Sequence, residues 1–377
     1  MSVSLTRRGF AGALGAAAGT LLAGPRLGRI AEAAAHRGRP AGAVFLNANE
    51  NPYGPSPKAI DAAARAVQAG NRYPDALEEE ARSAIGKHHG LSPDRVVLGC
   101  GSSEILVMAD LAFTGPGRRV LAAEPTFEAV LLYAKAIRSD AVTVPLTADF
   151  RHDLPAMAAA CGAGVGFVYV CNPNNPTGTI VTGDEMEAFV SRVPAGTTVL
   201  VDEAYHHFVE DSRYRSAAGL VGKFPNVVVA RTFSKIYGMA GLRLGYAVGS
   251  VERVAEMTRF ASFSNANNVA LSAALASLAD SDHVARTRKL MNDTRRWLVA
   301  EMARQGRRVM PSEANFVMVD LGRDVAPVIE AFRARKILVG RRFPSLPGWL
   351  RITVGRREEV EAFATVLAEV APVKAAA

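Results

Sequence analysis

The chain has 377 residues, long enough for more than one lobe around a substantial core. With 21% charged and 49% hydrophobic residues it is neither a disordered chain nor a multi-span membrane protein. Its formal charge of +8 is scattered, with no zinc-finger spacing and no aromatic-basic stretch, which argues against nucleic-acid binding and suits small anionic ligands better.

Residues 1–35 stand apart in composition. MSVSLTRRGFAGALGAAAGTLLAG sets Arg7 and Arg8 before a soft apolar run, and the stretch from Phe10 to Gly24 is shorter than the roughly 20 residues of a comfortable span. No stable membrane insertion is expected of it. TRRGF with its apolar run resembles a twin-arginine signal, although Ala11 stands where Leu is more typical. That resemblance implies a protein exported after folding by the twin-arginine machinery, cleaved after Ala33 or Ala35, and periplasmic. A basic tail on a cytoplasmic protein is the alternative. Cleavage would remove Arg7, Arg8, Arg26, Arg29 and Glu32, lowering the charge from +8 to +5. Cys100, Cys161 and Cys171 contain no CxxC pair and offer no disulfide framework in either compartment.

Residues 36–69 read as an N-terminal arm and part of a small domain. VFLNANENPYGPSP is irregular because Asn, Pro and Gly interrupt it, and PKAIDAAARAVQAG then has helical periodicity with a glycine stop. Residues 70–265 read as a large domain. ALEEEARSAIGKHHG is helical, RVVLGCG is a strand running into glycine, and SSEILVMADLAFTG resumes a helix whose N-terminus offers backbone N–H groups to an anion. RRVLAAEPTF, VTVPL, VGFVYVCNP, TTVLVDEAY and NVVVARTF are short apolar runs alternating with helical segments, which predicts an α/β fold with a mostly parallel sheet. Ligand groups then belong at the C-terminal ends of the strands. Residues 266–377 read as linking helices and a C-terminal small α/β domain.

Taken in order, GCGSSEIL, AEPTFEAV, NPNNPTG, VDEAY and RTFSKIYGMAGLRLGY resemble the fold-type I pyridoxal-phosphate aminotransferases, and among them the histidinol-phosphate aminotransferase family. Each motif alone is common; their order and joint presence, from LNANENPYGPSP to LRITVG, carry the resemblance. It implies a large domain with a mostly parallel seven-stranded sheet, a smaller α/β domain, pyridoxal 5'-phosphate as cofactor and no metal. The implied reaction is transfer of an amino group from a small-molecule donor to a 2-oxo acid acceptor. Lys235 then forms the Schiff base and carries the proton. Asp202 faces the pyridine nitrogen, and Tyr205 and Asn175 hold the phenolic oxygen. Phe127 stacks on the ring, while Ser102, Ser103, Thr232, Ser234 and Arg243 take the phosphate. Tyr73 implies a homodimer with shared sites, because its family counterpart reaches the neighbouring subunit's cofactor.

Toward the substrate the resemblance assigns Arg351 to an anionic group, with Asn49 and Tyr53 on the nearby arm. Family members that handle histidinol phosphate commonly carry an arginine shortly before the LRIT strand. In KILVGRRFPSLPGWLRITVG, Gly340 occupies that place, with Arg341 and Arg342 one and two positions later and Phe343, Leu346 and Trp349 adding apolar bulk. Arg341 is the candidate to reach in from a loop. Histidinol phosphate and an aromatic or hydrophobic amino acid are both candidate substrates. A lyase, decarboxylase or racemase on the same fold, or a noncatalytic cofactor-binding protein, is the alternative.

Overall fold

The structure, a computed structural model, describes residues 42–373. Its strands in chain order are β1 (Val44–Leu46), β2 (Val96–Gly99), β3 (Arg119–Glu124), β4 (Ala141–Pro145), β5 (Val165–Cys171), β6 (Thr198–Asp202), β7 (Val227–Thr232), β8 (Gly245–Val248), β9 (Phe316–Asp320), β10 (Ile337–Val339) and β11 (Trp349–Thr353). Seven of them form one sheet in the order β2-β8-β7-β6-β5-β3-β4. The pairs from β4 through β3, β5 and β6 to β7 are parallel, and β8 runs antiparallel to both β7 and β2. GYAV is thus a strand in its own right, which the sequence did not mark off from the glycine-rich turn before it.

Every residue of β5, β6 and β7 is buried. That is the pattern of parallel strands covered on both faces, and it explains why these segments read as unbroken apolar runs. The two-residue alternation still sorts the side chains. Val168, Val170, Val199, Val201, Val227 and Val229 join one apolar cluster, and Phe167, Tyr169, Cys171, Leu200, Val228 and Ala230 join the other. The second face is covered by the helices Ser102–Phe113 and Val251–Thr258, whose Ile105, Leu106, Met108, Ala109 and Met257 share its cluster.

A second core gathers Leu46, Leu298, Met302, Val317, Val319, Phe332, Leu350, Ile352 and Phe363. Two small sheets serve it, parallel β1–β10 and antiparallel β9–β11. The expected irregular arm therefore begins with a strand: VFL is apolar enough to add to β10, and irregularity starts only at Asn47. Between the two cores runs the 24-residue helix Ser281–Arg304, which contributes Met291 to the first and Leu298 and Met302 to the second. The helix Asn268–Leu278 packs against Pro57–Ala66, and its Ala270, Leu271, Ala273 and Ala274 belong with the large sheet. Among the described residues no helix is long and apolar enough to cross a membrane. The leader lies outside them.

Candidate active site

The C-terminal ends of β2, β3, β5, β6 and β7 open into one cleft, where loops converge from both sides of the parallel sheet. Lys235 enters it three residues past β7. Its Nζ donates to the carbonyl oxygens of Ala48 (3.4 Å) and Asn49 (3.2 Å) and lies 5.5 Å from the centre of the Tyr205 ring. The arm is pinned above it: Asn51 Nδ2 donates to Ile236 O (2.8 Å), Asn315 Nδ2 to Asn49 O (3.0 Å), and the Asn49 N–H to Thr353 Oγ1 (2.9 Å). Burial lowers the pKa of Lys235 from 10.5 to about 8; the charges of Arg351 and Arg243 push the same way, while Glu50 and Asp202 oppose them.

Asp202 ends β6 and is only 3% exposed. The hydroxyl of Tyr169, itself fully buried in β5, donates to its Oδ2 (2.9 Å), and the Ala204 N–H donates to Oδ1 (3.0 Å). Burial raises the Asp202 pKa, and these two hydrogen bonds and the Lys235 charge act against it. Nearby, the Tyr205 hydroxyl accepts from Asn49 Nδ2 (3.1 Å) and Asn175 Nδ2 (3.4 Å), and burial raises the phenol's pKa.

At one end the cleft forms a cradle of donors. The helix Ser102–Phe113 starts here without a side-chain N-cap, so the first-turn N–H groups around Ser102 and Ser103 retain their affinity for an anion. Opposite them Thr232 Oγ1 donates to Ser234 Oγ (2.9 Å), and Arg243 Nη1 donates to Ala240 O (3.1 Å) and Ser234 Oγ (3.4 Å). Arg243 holds a left-handed φ of 62°, a strained choice for a long side chain that places its guanidinium against Gly101. A Cβ on Gly101 would lie 2.2 Å from Arg243 Nη2, and Gly101 itself has φ 74°, so this position accepts only glycine without a shift. Phe127 forms part of the wall, packed on the second apolar cluster. An anion cradle, a buried carboxylate, an aromatic wall and a partly buried amine of lowered pKa fit pyridoxal phosphate.

The other end presents two guanidiniums. Arg351 on β11 donates from Nη1 to Asn175 Oδ1 (2.8 Å) and from Nη2 to Asn47 O (2.9 Å), while its buried Nε has no partner. No carboxylate among the described residues pairs with it. Arg341 reaches the cleft from the loop after β10, with Nη2 2.7 Å from Glu128 Oε1. Gly340 could not serve instead, since its N–H donates to Arg351 O (2.9 Å) and a Cβ there would lie 2.6 Å from that oxygen. A residue with a side chain would force β10 and β11 apart.

Of the residues assigned to cofactor or substrate from the sequence, all but Tyr53 and Tyr73 line this cleft, whereas Arg342, Leu346 and Trp349 do not. Tyr53 sits beneath the Arg356 guanidinium, 5.3 Å from ring centre, and Tyr73 is 84% exposed. Three contributors carried no signal of their own. Tyr169 reads as core within an apolar strand, Glu128 as the start of a helix, and Thr126, whose hydroxyl donates to Asn174 Oδ1 (2.8 Å), as a turn residue. No group of metal-ligating side chains occurs among the described residues.

Residues 42–367 match the family described as aminotransferase class I and II. The chain is 42% identical to a histidinol-phosphate aminotransferase of Symbiobacterium thermophilum over 326 residues, 86% of this chain and 89% of the relative. It is 39% identical to an aromatic amino acid aminotransferase of Cutibacterium acnes over 289 residues, 76% of this chain and 82% of the other. Among solved structures, the histidinol-phosphate aminotransferase of Sinorhizobium meliloti in complex with pyridoxal-5'-phosphate superposes with a TM-score of 0.82 at 28% identity, covering 87% of this chain and 90% of that one.

Proposed function

Because this chain belongs to the class I and II aminotransferases, we propose that it moves an amino group between histidinol phosphate and a 2-oxo acid. Reaction class and cofactor follow from membership: the chain is a pyridoxal-phosphate-dependent aminotransferase of α/β fold type I. The cofactor, when bound, supplies the electron sink that stabilises charge at the substrate Cα. Lys235 would hold it covalently and carry the proton at Cα, its lowered pKa keeping part of the amine neutral near pH 7. Asp202, steadied by Tyr169 and Ala204, would hold the ring nitrogen, and Asn175 and Tyr205 the phenolic oxygen. The N–H groups of Ser102 and Ser103 with Thr232, Ser234 and Arg243 would take the cofactor phosphate.

The observation that carries the substrate reading is Arg351, a partly buried guanidinium without a carboxylate partner among the described residues, at the same end of the cleft as Arg341. A partly buried charge of this kind, with no carboxylate beside it, favours an anionic group. A second reading, an aromatic amino acid, draws on Phe343 and Phe316 beside Arg351 and on Glu128, which already occupies Arg341. Steady-state transfer from histidinol phosphate, phenylalanine and glutamate to 2-oxo acids tests both. Turnover of phenylalanine alone would replace the first with the second, and release of ammonia or carbon dioxide without transfer would remove both.

Two further proposals complete the reading. A homodimer would place the exposed Tyr73 at the partner's cofactor, so sedimentation as a monomer under assay conditions contradicts it. The leader would direct export after folding; a periplasmic fraction with an N-terminus near Ala34 or His36, lost on Arg7→Lys with Arg8→Lys, is the expected result, and an uncleaved cytoplasmic protein overturns it.

A further inference from the structure

The two guanidiniums at the substrate end differ in their surroundings. Arg351 is partly buried, and its burial holds it below its ordinary pKa; the Tyr205 phenol counters this and Arg341 reinforces it. Arg341 is half-exposed and carries Glu128, itself half-exposed, at 2.7 Å. Both lie against one ring, with Arg341 4.3 Å and Arg351 5.3 Å from the centre of Phe343. That ring is only 6% exposed and is locked among Met310, Met318 and Leu346, so it is a fixed platform between two cations. The neighbouring Arg342 is committed elsewhere, its Nε donating to both carboxylate oxygens of Asp324.

Glu128 reaches Arg341 from the opposite side of the cleft mouth, directly after Phe127 and at the start of the helix Ala129–Ala136. Its carboxylate occupies the place where an incoming anion would meet Arg341. Because both partners are half in water, exchanging one carboxylate for another anion costs little desolvation, and the released Glu128 can turn into solvent. An uncharged group entering the same space gives the pair no reason to separate. With Glu128 on Arg341 the distal end of the pocket is electrically neutral; with Glu128 displaced it is cationic.

We propose that Glu128 is a resident counter-ion of Arg341 and sets substrate preference, yielding its place to a distal phosphate or carboxylate and keeping it when the distal group is uncharged. The inference rests on the aminotransferase reading in one respect, that a single site must take an amino donor and a 2-oxo acid of different distal charge in alternate half-reactions.

Binding of two unreactive acids to the full-length holoenzyme tests it without requiring turnover. Glutarate and 3-phenylpropionate each offer one carboxylate to Arg351 and differ in the distal group, and both are followed through the absorption of the bound cofactor. Glu128→Gln should tighten glutarate by about threefold to fivefold, the scale of an exposed ion pair, and leave 3-phenylpropionate within about twofold. Arg341→Gln should weaken glutarate roughly tenfold, and adding Glu128→Gln to it should change nothing further. Equal shifts for both acids, an unmoved glutarate affinity, or a Glu128→Gln effect that persists without Arg341 would each overturn the proposal. Failure of the aminotransferase reading is separate: acids that bind as described to an enzyme that transfers no amino group.

Discussion

Lys235 provides the most direct quantitative test. A pKa of about 8 in place of 10.5 leaves about a tenth of the amine neutral at pH 7, against about three parts in ten thousand for an ordinary lysine, a gain of about 300-fold in the form that can attack an aldehyde. Burial is the first cause and the Arg351 charge the second, so Arg351→Gln should raise the pKa by about half to one unit and slow covalent uptake of the cofactor at pH 7 by about threefold to tenfold. The assay is the rate at which apoenzyme and added pyridoxal phosphate form the lysine-linked absorption band, measured from pH 6 to 10. The same shift has a stability consequence of definite sign. A base whose folded pKa lies below its unfolded one destabilises the fold while protonated, so the apoenzyme should gain up to about 3 kcal/mol as pH rises from about 8 to 10.5, and Lys235→Met should abolish that rise. A wild-type midpoint near 10, or one that Arg351→Gln leaves unchanged or lowers, would refute the reasoning.

Two other substitutions address the cofactor end. Tyr169→Phe removes a buried donor 2.9 Å from Asp202 and should raise the carboxyl's pKa further. The expected outcome is a loss of about 1–3 kcal/mol in apoenzyme stability by urea titration, with a lower rate of amino transfer and a KM changed little. Gly101→Ala places a methyl 2.2 Å from Arg243 Nη2 in a backbone conformation of φ 74°, so cofactor affinity by equilibrium dialysis should fall about tenfold or more as the guanidinium is pushed from the cradle.

The cofactor end of the site was legible because its residues sit in short motifs at strand ends, where a polar residue closing an apolar run has few structural uses. Asp202 after TVLV and Lys235 after VVVART are of this kind. Tyr169 was not, since in a strand buried on both faces every position looks like core, and only the register that sets Cys171 beside Asp202 shows which side its hydroxyl serves. The substrate end was half legible. Arg351 stands on its strand, but whether Arg341 enters the cleft depends on the path of a loop and on Glu128, more than two hundred residues earlier. β8 escaped because four residues between glycine-rich turns carry little periodicity.

The pairing of β1 with β10, and of Asn47 O with Arg351 across 304 positions, has a consequence in time. At about 5–20 residues per second of synthesis, Val44–Leu46 waits on the order of 15–60 s before its partner strand exists. Until then the arm whose carbonyls receive Lys235 Nζ has its side-chain hydrogen bonds to Ile236 O and Tyr205 but no strand to extend. The nascent chain therefore lacks a finished site until the segment through Arg351 has been made, which makes cofactor capture a late event that reports the meeting of two segments about three hundred residues apart.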